Sequence, residues 1–170
     1  MFVEMTVAGI TMDPFSNSPI VILKDPDGTS ALPIWIGILE ASAIATELGE
    51  VKPPRPMTHD LMKSIFENID AAITRIEVTD LKDNTFFATI HLSIAEKTFA
   101  VDARPSDAIA LALRMNSPIF VSEGVIEKSQ TISLDKEAQG SSRSQGLSMH
   151  TLRLEMREMR YPDQRRIEWR

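Results

Sequence analysis

Two groups of residues bring together side chains able to do chemistry. The first joins Glu40 and Glu47 to Asp102, Arg104 and Asp107. Carboxylate oxygens are the ligands that Mg²⁺ and Mn²⁺ take, and a bound ion can polarise a phosphodiester and lower the pKa of its water. A planar guanidinium such as that of Arg104 clamps phosphate through paired N–H donors. The second group is Arg55, Thr58, His59 and Asp60. Neutral imidazole offers a lone pair near physiological pH, which makes His59 a candidate base or metal ligand, with Asp60 beside it as acid or ligand. Adjacent helical residues point about 100° apart, so the His-Asp dipeptide alone does not make a joined unit.

Each residue also has a structural explanation. Glu40 and Glu47 fit solvated helix faces, Asp107 is favoured by the helix dipole in a first turn, and Asp102 and Arg104 can pair across a turn. Thr58 and Ser106 stand where N-caps would open helices. His91 is isolated in an alternating strand, and His150 follows a Gly/Ser-rich stretch. The chain has no GxxxxGK[ST] phosphate loop, HExxH zinc helix or calcium-binding loop, and Ser106 lacks the context of a nucleophile elbow.

The elements that must position these groups follow from periodicity and turn chemistry. Strands are expected over 2–11, 19–23 and 30–36, with the DPDG at Asp25–Gly28 as a turn, then a helix over 40–48. Pro53, Pro54 and Pro56 keep the next stretch a loop, and a helix follows over 58–68 with Leu61, Ile65 and either Phe66 or Ile69 as its apolar stripe. Strands at 72–79, 86–94 and 99–103 precede a helix over 106–114, and a short strand at 117–121 leads to a helical turn near 124–126. The order of three strands and a helix thus occurs twice. At a shift of 65, PIWIGILEASAIATEL (33–48) lies against TFAVDARPSDAIALAL (98–113), so that Ala43 meets Ala108, Ile44 meets Ile109 and Leu48 meets Leu113. Coincidence of small and large residues where a helix must lie on a sheet predicts an internal duplication.

Composition bounds the rest. The chain of 170 residues carries a net charge of −6 and no cysteine, which excludes disulfides, thiol nucleophiles and thiolate metal sites. Residues 1–126 hold nine Lys or Arg against seventeen Asp or Glu, whereas 127–170 hold nine against seven. An acidic body does not bind nucleic acid by bulk electrostatics, so such chemistry would need a local basic group or a divalent cation. No stretch reads as a signal peptide or membrane span, and a cytoplasmic protein without membrane partners is the expectation. The domain expectation is one folded unit over 1–127 and a flexible or weakly ordered extension over 128–170, with a linker at 138–148 and an extended segment within 149–159.

The segments LPIWIGILEASAIATEL, RPMTHDLM and FAVDARPSDAIALAL, in that order, resemble the bifunctional nuclease domain family of bacteria and plants over approximately 1–127. The resemblance implies an α+β fold of duplicated β-rich units with packed helices around a mixed, barrel-like β core, commonly a homodimer, and activity towards DNA and RNA. It also implies a polar cleft formed from Glu40, Arg55, His59, Asp60, Asp102, Arg104 and Asp107. The expected reaction is phosphodiester hydrolysis assisted by Mg²⁺ or Mn²⁺. In it Glu40, Asp60 and Asp102 hold metal or position water, His59 transfers the proton, Arg55 and Arg104 contact phosphate, and Glu47 and Asp107 are secondary acids. Two other readings stand beside it: a non-catalytic anion-binding or protein-interaction domain, and a structural homodimer sealed by apolar helix faces.

Overall fold

Stretches rich in Val, Ile, Thr and Phe, punctuated by Asp, Asn and Gly, become seven strands and three eleven-residue helices in a computed structural model that describes residues 1–129. In chain order these are β1 (Phe2–Met12), β2 (Pro19–Lys24), β3 (Ala31–Trp35), α1 (Ile38–Leu48), α2 (Thr58–Asn68), β4 (Ala71–Lys82), β5 (Thr85–Ile94), β6 (Lys97–Ala103), α3 (Pro105–Met115) and β7 (Ile119–Ser122). Residues 123–129 are also helical. The linker expected at 138–148, the segment within 149–159, His150 and nearly all of the extension at 128–170 lie outside the described residues. Among the described residues, no helix is long and apolar enough to cross a membrane.

The strands form one mixed sheet in the order β3-β2-β1-β7-β4-β5-β6. All neighbours are antiparallel except β4 and β7, which run parallel. The barrel-like core implied by the resemblance is therefore corrected: β3 and β6 stand at opposite ends of an open sheet and do not pair. The physical reason lies in what covers the apolar strand residues. Ile76 and Val78 of β4 and Ala88 and Ile90 of β5 are buried where α3 packs on these strands, so helices supply the cover that an opposite barrel wall would provide.

The connectivity does occur twice. β1-β2-β3-α1 and β4-β5-β6-α3 are each an antiparallel meander followed by a helix, and they meet on either side of β7. Ala43, Ile44, Ala108 and Ile109, paired at the shift of 65, are all buried, and α1 packs on α3. Small alanines here allow the close helix approach that the polar contacts described below require. β2 reads as the unbroken run PIVIL because all five residues are buried.

Among the described residues several apolar side chains stay exposed, and two elements matter below. Strand β6, an edge among the described strands, exposes Phe99 (45%) and Val101 (43%). Helix α2 has no fully buried residue: Leu61, Ile65 and Ile69 of the expected stripe are about half exposed, Phe66 and Met62 are half-buried, and the helix packs on α3 and β4.

Candidate active site

The three helices begin alike. Gly37, Met57 and Arg104 are their extended N-cap residues, and the third residue inside each helix is an acid: Glu40 in α1, Asp60 in α2 and Asp107 in α3. An acid at this position meets the positive end of the helix dipole and can reach back to the cap. Thr58 and Ser106 are therefore not the caps expected from the sequence. Pro105 takes the first helical position, where its missing N–H costs nothing, and this moves the cap to Arg104 and Ser106 into the buried interior. Helix starts are offset by 67 residues rather than 65, which makes Glu40 and Asp107 equivalent positions of the two units.

Arg104 joins those two acids. Its Nη1 donates to Glu40 Oε1 at 2.6 Å, its Nε to Asp107 Oδ2 at 2.7 Å and its Nη2 to Asp107 Oδ1 at 3.2 Å. The Asp107 carboxylate, followed by that of Glu40, pushes the guanidinium pKa still higher, so the group stays charged. His59 Nε2 lies 3.2 Å from the same Asp107 Oδ1. Gly37 makes room for this arrangement, since a Cβ at that position would overlap the Glu40 carboxylate. Glu40, Arg104, Asp107 and His59 thus form one continuous string contributed by three helices.

A second guanidinium lies behind the string. Arg114, in the last turn of α3, is only 2% exposed. Its Nε donates to Asp60 Oδ1 at 2.6 Å, its Nη1 to the Ala110 carbonyl at 3.0 Å and its Nη2 to the Ala43 carbonyl of α1 at 3.1 Å, with Glu47 Oε2 at 3.9 Å from Nε. The other Asp60 oxygen accepts the Met57 amide at 2.9 Å. These bonds hold the Asp60 carboxyl below the ordinary carboxylate range, that from Arg114 most strongly and that from the Met57 amide next. Sequence reasoning missed Arg114. The available signal was a lone cation on the apolar helix DAIALALR, seven residues after Asp107 and so on the same face.

The remaining candidates lie apart from the string. Asp102 pairs in register with Thr89, between the pairs Ile90–Val101 and Ala88–Ala103. Directly opposed residues share a face, so Asp102 is on the face away from buried Ile90 and Ala88. Arg55 is exposed in the loop between α1 and α2. Neither side chain makes a hydrogen bond or ion pair among the described residues. His91 contacts Glu77 Oε2 at 2.8 Å, away from the three helix starts. Among the described residues, no group of three or more His, Asp or Glu side chains is arranged to hold a metal ion.

Comparison with known proteins gives this geometry a context. The pattern described as the bifunctional nuclease domain matches residues 21–133. Uncharacterized protein Rv1829 of Mycobacterium tuberculosis (strain ATCC 25618 / H37Rv) is 41% identical over 123 residues, covering 72% of this chain and 73% of that protein. Bifunctional nuclease 2 of Arabidopsis thaliana is 30% identical over 107 residues, covering 61% of this chain and 32% of that protein. Bifunctional nuclease 1 of Oryza sativa subsp. japonica is 27% identical over 109 residues, covering 62% of this chain and 33% of that protein. The matched part of each plant nuclease is therefore about a third of its length. The matched residues include α1, α2 and α3 with the whole string from Glu40 to His59, and the chain belongs to the bifunctional nuclease domain family.

Proposed function

We propose that the chain is a nuclease that hydrolyses DNA and RNA phosphodiester bonds where α1, α2 and α3 begin. The observation that supports this reading is the string Glu40–Arg104–Asp107–His59, which gathers a guanidinium, two carboxylates and an imidazole. An ionised Asp107 can only accept a hydrogen bond, so a neutral His59 gives it the Nε2–H and keeps the lone pair on Nδ1. In the proposed reaction Nδ1 takes a proton from water as the water oxygen attacks phosphorus. The P–O ester bond breaks, and the leaving oxygen keeps the electron pair and takes a proton from solvent. Arg104 binds the non-bridging oxygens through the Nη1 and Nη2 protons that its two carboxylates leave free.

Two carboxylates against one guanidinium leave the string negative when His59 is neutral, and a phosphate adds to that charge. Mg²⁺ or Mn²⁺ fits the donors in kind, because such ions are commonly held by one or two carboxylates together with substrate phosphate and water. Glu40 and Asp107 would hold it, and when bound it supplies polarisation of a phosphoryl oxygen. Asp60 is bonded to the buried Arg114 and the Met57 amide and not to Arg104, so it lies outside this assignment.

The test is cleavage of labelled single-stranded DNA, double-stranded DNA and RNA by purified protein with Mg²⁺, Mn²⁺ or EDTA, beside Glu40→Gln, His59→Ala and Asp107→Asn. Activity that depends on the metal and is lost in the folded variants is the expected result. Activity that does not co-purify, or three folded variants equal to wild type, overturns it. Oligonucleotide binding without cleavage would favour the non-catalytic anion-binding reading.

We also propose that the protein is a homodimer formed through β6. Antiparallel pairing centred on Ala100 sets Phe99 opposite the partner's Val101 and Thr98 opposite the partner's Asp102, so apolar and polar faces stay continuous across the join. Val101→Lys should convert a dimeric mass in light scattering to a monomeric one, and an unchanged dimer would exclude this edge.

A further inference from the structure

We infer that Arg114 is a positioning residue, the group that holds the first turn of α2 so that His59 meets Asp107. The inference rests on the reading of His59 as the proton-transfer residue, but its geometry stands apart from that reading. Helix α2 has no fully buried side chain, its apolar packing on α3 and β4 being limited to half-buried residues such as Met62 and Phe66, and a loop with three prolines precedes it. What attaches its first turn are two adjacent polar contacts to one face of α3: His59 to Asp107, and Asp60 to Arg114. Asp107, Ala110 and Arg114 are three and seven residues apart, the spacing of a single stripe, and α2 begins across that stripe.

The two contacts differ in what supports them. Arg114 is enclosed, and its Nη1 and Nη2 donate to the carbonyls of Ala110 and Ala43, which fix the guanidinium plane relative to both α3 and α1. Asp60 then ties that plane to the amide of Met57, the cap of α2. The path Ala43–Arg114–Asp60–Met57 therefore registers the start of α2 against the two helices that carry Glu40, Arg104 and Asp107. Lysine could keep the charge but could not hold an acid and two carbonyls in one plane. His59 has no such path of its own, since its partner Asp107 is also engaged by Arg104.

The test is the rate at which diethyl pyrocarbonate modifies each histidine, read by peptide mass spectrometry on the full chain, with His91 on β5 as the internal control. In Arg114→Met the His59 rate should rise about fivefold or more while the His91 rate holds. The double variant Asp60→Leu/Arg114→Met exchanges the ion pair for apolar contact, so it should regain melting temperature yet keep His59 reactive. Asp60→Asn, which can still accept the Met57 amide, should show a smaller rise and carries the test if Arg114→Met does not fold. An unchanged His59 rate, a parallel rise at both histidines, or recovered protection in the double variant each overturns the inference. Modification rates decide this without a substrate, so absence of nuclease activity would overturn the function proposed above and leave the positioning role standing. With cleavage in hand, kcat should fall more than KM rises, because a displaced base affects the chemical step.

Discussion

Replacing Arg114 by methionine should destabilise the protein mainly at neutral pH. The side chain is 2% exposed and its shortest bond, 2.6 Å, runs to Asp60. Removing one member of a buried pair costs about 3–5 kcal/mol when the other remains sealed from water. Asp60 is 28% exposed and can rehydrate, which brings the expectation down to about 2–3 kcal/mol, near the value of a strong charge-assisted hydrogen bond. For a domain of this size the melting temperature should fall by roughly 8 °C. The pH dependence follows from the depressed pKa of Asp60, whose first cause is Arg114. A carboxyl with its folded pKa below its unfolded value near about 3.9 contributes stability that is complete above that value and is lost as pH falls through the folded pKa. Urea unfolding at pH 7 and pH 3 should therefore show a gap between wild type and Arg114→Met that narrows in acid. A gap below about 0.5 kcal/mol at pH 7, or one equally large at pH 3, would refute the reasoning.

Arg104→Gln should behave oppositely: its side chain is 65% exposed, so the melting temperature should move by less than about 2 °C, while kcat/KM for oligonucleotide cleavage falls about 100-fold. Gly37→Ala places a Cβ where the Glu40 carboxylate lies, and turning Glu40 away from Arg104 should reduce cleavage about tenfold with circular dichroism unchanged. Asp107→Asn should lower kcat about 100-fold, whereas Asp102→Asn, on the far face of the sheet, should stay within about twofold; the reverse order in a steady-state assay would move the site to β6.

Strand periodicity and turn chemistry carried most of the fold. β1, β2 and β5 lie within a residue or two of their expected bounds because alternation and Asp or Asn turns act locally. Helix starts were displaced where backbone conformation outweighed side-chain preference: Ser106 and Thr58 have capping hydroxyls, but the chain is already helical at both, directly after extended Arg104 and Met57. Openness of the sheet depends on whether β3 and β6 meet, a contact between strands far apart in the chain that no local pattern encodes. The same distinction separates the candidate acids. Asp102 and Asp107 look alike in DARPSDA, yet register puts one beside Thr89 and helical position puts the other beside Arg104 and His59. Asp107 was explicable as a helix-start acid, and that explanation concealed its second partner. Arg114 was read as the end of an apolar helix, because burial of a charge becomes visible only when the groups that satisfy it, from three helices, are in place.

The absence of any buried residue in α2 has an energetic corollary. A helix whose apolar residues are at most half-buried detaches at a lower cost than that of unfolding the sheet, so amide exchange along 58–68 should outpace that of β4 and β5 under native conditions. His59 rides on this element, whereas Glu40, Arg104 and Asp107 belong to helices anchored by buried Ile44, Ile109 and Leu111. Local opening of α2 should therefore expose the imidazole to solvent while the Glu40–Arg104–Asp107 group stays assembled.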